Sequence, residues 1–304
     1  MADAIIGAGL PADRPADDGR APAASPLRAA AYTMVANKGA LAGLAVIIIM
    51  VLFSFAGPFF YHSNQITTDL PASLRPPSAA HPLGTDNEGY DELGRLMLGG
   101  QTSIEIGLAA AIVATVIGVG YGAVSGFVGG LVDGLMMRVV DALLAIPTLF
   151  LLIYLFTVYQ ASPVLLILVI GLVAWLVPAR LVRAETLSLR TREYVQAVQM
   201  MGGNRFRMIT RHIIPNTIGT ITVNATFQVA DAVLALAGLS FLGLGIPPPA
   251  ANWGGMLSTG INYVYAGDWW VIYPPGVAIL LTVMSFNAVG DALRDVFDSR
   301  LRPR

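Results

Sequence analysis

The chain has 304 residues, of which 55% are hydrophobic and 12% charged, about half of the roughly 25% usual in soluble domains. Together with a mean hydropathy of +0.67, this composition predicts a polytopic membrane protein rather than one or two soluble domains. Cysteine is absent, which excludes a disulfide framework, a thiolate nucleophile and a cysteine-based metal site. The net charge of −1 gives no indication of nucleic-acid binding.

The first third of the chain is predicted to hold one membrane span between two polar segments. Residues 1–37 are rich in Ala, Pro, Asp and Arg without apolar periodicity, which is typical of a disordered tail. Residues 39–60 are long enough to cross about 30 Å of hydrocarbon. The polar residues 61–102 follow, so we assign 38–102 to the first span and the segment after it. His81 in this segment is interpreted as a turn residue because Pro82 follows it.

A second apolar block covers residues 103–128 and contains a glycine repeat. Its members recur every four residues, which indicates close packing against another helix. The alternative interpretation, of Gly118-Val-Gly-Tyr-Gly-Ala as a nucleotide fingerprint, is less favoured because neither a strand nor an acidic ribose partner accompanies it. The repeat consists of Gly118, Gly122, Gly126 and Gly130.

The third and fourth spans follow a Gly129-Gly130 break. Arg138 and Asp141 are three residues apart and are predicted to pair on one helix face. The third span runs through Tyr159, with Pro147 inside it as a predicted kink. Residues 163–178 form the fourth span.

The fifth span, 217–239, carries polar side chains within an apolar helix. Asn224, Gln228 and Asp231 are spaced by four and three residues, which places them on one face. Because burying such groups in lipid is costly, we interpret them as a stripe lining a translocation path. A seam of hydrogen bonds between helices is an equal alternative. A connection rich in Gly, Pro and Trp covers residues 243–270, and the sixth span covers 271–289. We assign 103–295 as the core membrane domain and 296–304 as the C-terminal tail.

A polar segment, residues 184–216, separates the fourth and fifth spans. Its second part predicts two short helices joined by a hinge at Gly202-Gly203, with Asn204 as an N-cap and Pro215 limiting the far end. In the first helix, an apolar side is predicted to oppose a polar one. The apolar side comprises Tyr194, Val195, Val198 and Met201, and the polar side Glu193, Gln196 and Gln199.

Basic residues are distributed unequally between the two sides of the six-span arrangement. Sixteen of the 18 Lys and Arg residues fall at the two ends of the chain, in the turn after the second span and in residues 179–216, and only Arg75 and Arg95 fall on the other side. The positive-inside rule therefore predicts that both termini and the polar segment are cytoplasmic.

The residues offer no catalytic machinery. A P-loop needs a lysine followed by Ser or Thr, but the only lysine, Lys38, precedes Gly39. No Ser-His-Asp arrangement and no metal-ligand spacing occurs, which argues against a membrane-embedded enzyme. The chain is therefore predicted to be non-catalytic, without a cofactor of its own.

The polar segment resembles the EAA loop of ABC importer permeases. Gln196-Ala197-Val198 corresponds to Glu-Ala-Ala, Gly202 to the glycine, and Ile213-Ile214-Pro215 to the hydrophobic ending. Further motifs resemble the dipeptide, oligopeptide and nickel importer permeases, most closely the second permease subunit of dipeptide importers. They include His81-Pro-Leu-Gly-Thr-Asp86, Met137-Arg138-x-x-Asp141, Ala179-Arg-Leu-Val-Arg183, Ser240-Phe-Leu-Gly-Leu-Gly245 and Asn287-x-x-Gly-Asp-x-Leu-Arg-Asp295.

This resemblance implies an all-α, six-helix type I importer permease of the MetI-like fold in a bacterial inner membrane. The implied partners are a paralogous permease, two ABC ATPase subunits that bind ATP and Mg²⁺, an extracytoplasmic substrate-binding protein and the lipid bilayer. The implied substrates are dipeptides or oligopeptides, with nickel or haem as alternatives within the class and an ion-coupled secondary transporter as an alternative outside it. The implied coupling residues are Glu193, Tyr194, Gln196, Ala197, Val198, Met201, Gly202, Arg205 and Pro215.

Overall fold

The computed structural model describes residues 37–63, 65, 67–159 and 161–298. The predicted tail of residues 1–37, except Asn37, and residues 299–304 of the predicted C-terminal tail lie outside the described residues. Helices dominate the described part of the chain, where the one bridge between extended residues joins Thr85 and Asp91. The all-α prediction is therefore confirmed.

The α-helices are numbered here in chain order. Short 3₁₀ turns lie at Leu70–Ala72, Ile214–Asn216 and Ile261–Ala266, and a π-helical turn lies at Ile209–Ile213. The α-helices are α1 (Lys38–Phe55), α2 (Gly57–Phe60), α3 (Glu92–Val128), α4 (Gly130–Leu144), α5 (Thr148–Val158), α6 (Pro163–Ala174), α7 (Leu176–Leu189), α8 (Glu193–Met200), α9 (Arg205–Met208), α10 (Ile218–Phe241), α11 (Trp253–Gly260) and α12 (Trp269–Asp298).

Six segments of the described chain have the length and composition of membrane spans if each bent helix pair counts as one. Four single helices qualify: α1, α3, α10 and α12. The pair α4 and α5 is bent by 76°, and the pair α6 and α7 by 42°. Pro147 lies in this break, immediately before α5. Its ring and its missing N–H disfavour an uninterrupted helix. The predicted kink at Pro147 is therefore a sharp break.

The long helix α3 is the centre of the bundle. It supplies Ile106 and Ala110 to an apolar cluster with α5, α6 and α10. It supplies Leu96 and Ile104 to a second cluster with α1, α11 and α12, and Ala114 to a third with α4 and α7. Every major apolar cluster therefore depends on the position of α3.

Helix α3 begins at Glu92, earlier than the predicted start of the second span at residue 103. The carboxylate of Asp91 caps it by accepting a hydrogen bond from the backbone N–H of Gly94 at 2.9 Å, which satisfies one of the free donors of the first turn. Residues 92–102 are too polar for hydropathy to identify them as part of a span, but they are helical because protein surrounds them. Glu92 and Arg95 are both buried.

The glycine repeat brings α3 against α7, as predicted. A Cβ at Gly118 would lie 2.6 Å from the Cβ of Pro178, and a Cβ at Gly126 would lie 2.8 Å from the carbonyl oxygen of Arg183. The helix continues past residue 178, where the fourth span was predicted to end, and Ala179 is completely buried in the cluster that includes Ala114 of α3. Gly130 is not part of this contact, since a Cβ there would meet no atom within 4 Å.

We expect Gly122→Val to weaken the folded protein by roughly 1–3 kcal/mol, the usual cost of overpacking. A Cβ at this position would lie 2.3 Å from the carbonyl oxygen of Ala179 and 2.9 Å from the amide nitrogen of Arg183, both backbone atoms that cannot rotate away. Thermal unfolding in detergent measures the loss. Gly120→Val is the matched control, since nothing lies within 4 Å of its Cβ. Equal unfolding midpoints for the two variants would contradict the packing account.

Helix α11 lies inside the segment that the sequence presented only as a connection. The side chain of Trp253 is fully buried, and its indole N–H donates to the carbonyl of Leu96 at 3.0 Å. Trp270 similarly donates to the carbonyl of Thr85 at 3.2 Å. These two indoles tie α11 to the first turns of α3, and the start of α12 to the loop that precedes α3.

Candidate functional site

The polar segment after α7 folds into a turn of fixed geometry. At the end of α8, the N–H of Gly203 donates to the carbonyl of Val198 at 3.0 Å, and the N–H of Gly202 donates to the carbonyl of Gln199 at 3.1 Å. This is the Schellman pattern, which places a left-handed residue after the helix. Gly202 occupies that place with φ +77°. The predicted glycine hinge is confirmed, and its angle is set by backbone hydrogen bonds.

The second helix of the segment begins where Asn204 predicted it. The side-chain oxygen of Asn204 accepts a hydrogen bond from the N–H of Phe206 at 3.0 Å. Helix α9 is short and continues through the π-helical turn into the 3₁₀ turn that contains Pro215. The segment therefore reaches α10 without an irregular loop.

The structure divides the predicted apolar side of α8 into two parts. Val195 is buried against the rest of the chain and Val198 is half-buried under Gly203, so neither belongs to an exposed surface. Tyr194 and Met201 are exposed. The other predicted coupling residues, all exposed, are Glu193, Gln196, Ala197, Gly202, Arg205 and Pro215.

Two exposed apolar residues of this segment were missing from the prediction. Met200 is 87% exposed and Phe206 is 73% exposed, beside Met201 at 78%. Helical periodicity had pointed to the residues that pack inward, whereas these side chains flank the hinge. We call Tyr194, Met200, Met201 and Phe206 the apolar ledge. Exposed apolar patches mark sites of protein interaction, and these four side chains are the candidate for such a site in this segment.

Ion pairs fix the base of this segment to the bundle. The guanidinium of Arg183 in α7 donates to both carboxylate oxygens of Asp133 in α4, at 2.5 and 2.6 Å. The hydroxyl of Ser125 donates to the same carboxylate at 2.5 Å. Arg180 pairs with Asp141, so the predicted pairing of Asp141 with Arg138 was wrong. The pairs join different helices, because the break after α3 folds α4 alongside α7.

The three polar residues of the fifth span line one cavity, as their spacing predicted. The cavity has a volume of about 240 Å³ and lies between α10, α6 and the break between α4 and α5. The side-chain N–H of Gln228 donates to the carbonyl of Ala174 at 3.1 Å, so this residue takes part in a seam between helices as well. Asp231 is exposed, and the side-chain oxygen of Asn224 is buried without a donor. A role in translocation stays a prediction for all three.

The opposite end of the bundle carries a compact polar cluster around Asp91. The Nδ1 atom of His81 lies 2.8 Å from a carboxylate oxygen of Asp91, and the hydroxyl of Tyr61 donates to the same oxygen at 2.8 Å. Burial and this neighbouring carboxylate raise the pKa of Tyr61 to about 12, so the phenol remains a proton donor at neutral pH. His81 was interpreted as a turn residue only; it also stabilises the residue that caps α3.

A bundle of apolar helices with a cavity that includes three polar side chains, and with one structured polar segment, is typical of a membrane transport subunit. The family model described as "Binding-protein-dependent transport system inner membrane component" matches residues 118–303. A second model, "N-terminal TM domain of oligopeptide transport permease C", matches residues 25–77. The chain belongs to the family of binding-protein-dependent transport system inner membrane components. It is a membrane-embedded, non-catalytic permease subunit of an ABC importer.

Curated relatives align over most of their own length. The Oligopeptide transport system permease protein OppC of Bacillus subtilis (strain 168) is 40% identical over 266 residues, which cover 88% of this chain and 87% of the relative. The Dipeptide transport system permease protein DppC of the same organism is 36% identical over 290 residues, 95% of this chain and 91% of the relative. OppC of Escherichia coli (strain K12) is 38% identical over 268 residues, 88% of each chain.

Proposed function

We propose that this permease imports dipeptides or oligopeptides and forms the translocation path together with a paralogous permease subunit. Support comes from the printed names of the relatives, which are oligopeptide and dipeptide transport permeases. The cavity on α10 is the part of the path that this chain contributes. Its lining combines the apolar side chains of α5 and α6 with Asn224, Gln228 and Asp231, which suits a ligand with both polar and apolar groups.

The polar segment couples this subunit to a separate ATPase. The observation that carries this proposal is the apolar ledge, exposed on a turn whose angle is fixed by the Schellman hydrogen bonds. A rigid turn with exposed Met and Phe side chains can insert into a groove of a partner and transmit its movement. The ion pairs of α7 with α4 connect that movement to the spans. ATP and Mg²⁺ are bound by two ATPase subunits, and this chain holds neither.

The termini and the polar segment face the cytoplasm of a bacterial cell, and the cluster around Asp91 faces the outside. The distribution of Arg and Lys supports this orientation. The extracytoplasmic end then receives substrate from a binding protein. ATP and the loaded binding protein favour different states of the transporter, so their binding shifts the population between inward-open and outward-open forms.

The orientation predicts the outcome of reporter fusions. Fusions after residues near 75 and 260 are expected to report an extracytoplasmic location, and fusions near 200 and after 304 a cytoplasmic one. The reason is that one span precedes residue 75 and five precede residue 260, whereas four precede residue 200 and six precede residue 304. Paired enzymatic reporters, one active only on each side of the membrane, make the measurement. A cytoplasmic result at residue 75 would contradict the six-span orientation.

The function itself is tested with the assembled transporter. We expect the complex of both permeases, the ATPases and the binding protein, reconstituted in liposomes, to accumulate a labelled dipeptide only when ATP is supplied. Dipeptide should also raise ATP hydrolysis. Nickel salts and haem are the comparison ligands, since the sequence resemblance leaves them as alternatives. Stimulation by nickel or haem without stimulation by any peptide would overturn the proposed substrate class.

A further inference from the structure

The cavity on α10 has an uneven balance of charge. Among the described residues that line it, Asp231 alone bears a charge, and the remaining lining is apolar or neutral: Leu144, Thr148, Leu152, Ile170, Val173, Ala174, Val177, Asn224, Phe227, Gln228, Ala232 and Ala235. No cation of the described chain lies within salt-bridge distance of the Asp231 carboxylate. The interior of the cavity is therefore electronegative.

Two amide side chains lie beside Asp231 in the lining of the cavity. One N–H of the Gln228 amide donates to the carbonyl of Ala174 at 3.1 Å, which fixes the position of this side chain. The side-chain oxygen of Asn224 is buried and receives no hydrogen bond. The carboxylate of Asp231 therefore stands beside two neutral amides, and it is the one ionisable group among the described residues of the lining.

We propose that this cavity binds a primary ammonium group and, on the proposed function, the protonated amino terminus of a transported peptide. An ammonium group carries one positive charge and three N–H donors, which suits a carboxylate with neutral amides beside it. A carboxylate group would instead meet Asp231 with like charge and be repelled. At about 240 Å³, the cavity is smaller than the roughly 300–1,000 Å³ of pockets for whole drug-sized ligands. It holds one end of a peptide.

The natural absence of cysteine allows a direct test, because a single introduced thiol is unique in this chain. Ala235→Cys places the thiol in the lining of the cavity. Its modification rate is measured in vesicles that contain the complete transporter, with 2-aminoethyl methanethiosulfonate as the ammonium probe and 2-sulfonatoethyl methanethiosulfonate as the anionic probe. The unmodified chain gives the background from the other subunits.

We expect the ammonium probe to react faster at Cys-substituted Ala235 by a factor on the order of ten, as electrostatic focusing in a cleft commonly gives. Adding Asp231→Asn should remove that preference, whereas Asp231→Glu should keep it. Ala225→Cys is the matched control, since Ala225 lies on the same helix in an apolar groove against α3 and should show no preference that depends on Asp231.

Two results would overturn the proposal. One is an equal rate for the two probes at position 235, or a preference that Asp231→Asn leaves unchanged. The other is that neither probe reacts with Ala235→Cys or with Thr148→Cys, a second lining position. A cavity closed to small cations binds no ammonium group.

Ligand protection then identifies the source of the ammonium group. A dipeptide with a free amino terminus should slow modification of Ala235→Cys, and the same dipeptide with an acetylated amino terminus should not. Equal protection by both peptides would overturn the assignment of the amino terminus. The probe rates require neither uptake nor ATP hydrolysis. If the transporter proves not to import peptides, the charge preference of the cavity can still be read separately.

Discussion

Replacing Gly202 with valine is expected to abolish peptide uptake while the protein remains in the membrane at its normal level. Gly202 has φ +77°, a region in which a β-branched residue is a true outlier and even an ordinary L-residue loses about 1–2 kcal/mol. A Cβ at this position would meet no atom within 4 Å, so the effect is conformational and involves no clash. The turn relieves the strain by changing its angle, which moves the apolar ledge out of register with the ATPase.

Two other substitutions at the same position separate angle from charge. Gly202→Asn is the matched control, because asparagine tolerates the left-handed region, and it should retain most of the uptake. Gly202→Asp tolerates this region as well but adds a carboxylate beside Met200 and Met201, and we expect it to abolish uptake. Uptake and substrate-stimulated ATP hydrolysis are measured side by side on reconstituted complexes. Normal uptake with valine at this position would mean that the segment is only a connector.

The helix ends and the turn of the polar segment could be predicted from the sequence, because interactions between neighbouring residues determine them. Glycine at a left-handed position, asparagine at an N-cap and proline before a new helix act on neighbouring backbone groups. Gly202 and Asn204 do what their residue types predicted. The break at Pro147 follows the same logic, and its 76° angle depends on how the two halves pack.

The division between buried and exposed residues in α8 and α9 could not be read in the same way. Periodicity identifies an apolar face, but it does not say whether this chain or a partner covers it. Val195 packs inside the chain, whereas Met200 and Phe206 remain exposed. Both sets are apolar, so only the three-dimensional position of the hinge separates them.

Contacts between distant parts of the chain determine two features that hydropathy and helical spacing did not predict: the helical state of residues 92–102 and the partner of Asp141. Residues 92–102 are polar and nevertheless helical because α11 and the preceding loop surround them. Asp141 has an arginine three residues away in its own helix but pairs with Arg180 of α7. Spacing along one helix predicts which contacts are possible, and the glycine contact between α3 and α7 decides which helices are near enough to make them.

Arg183→Met is expected to lower the thermal unfolding midpoint by about 5 °C or more, and to lower uptake with it. The carboxylate of Asp133 is nearly buried, at 11% exposure, and accepts two hydrogen bonds from Arg183. Removing one member of a buried pair costs about 3–5 kcal/mol, since the other charge stays without a partner. Because the side chain of Arg183 is 31% exposed, we expect a loss of about 3 kcal/mol, at the lower end of this range. In a chain of this length, such a loss lowers the unfolding midpoint by about 5 °C or more.

The double variant Asp133→Leu, Arg183→Met shows whether the loss comes from the uncompensated charge. Replacing both members of a buried pair with apolar residues is often nearly neutral, so the double variant should regain most of the midpoint that the single variant lost. Thermal unfolding of the purified protein in one detergent, for both single variants and the double, completes the cycle. If the pair also transmits motion from the polar segment to the spans, the double variant should regain stability without regaining uptake. An apolar contact lacks the fixed direction of two parallel N–H···O bonds.

Additive losses in the cycle would instead mean that Asp133 and Arg183 act independently. The base of the segment would then be held by the packing of α3 against α7 alone.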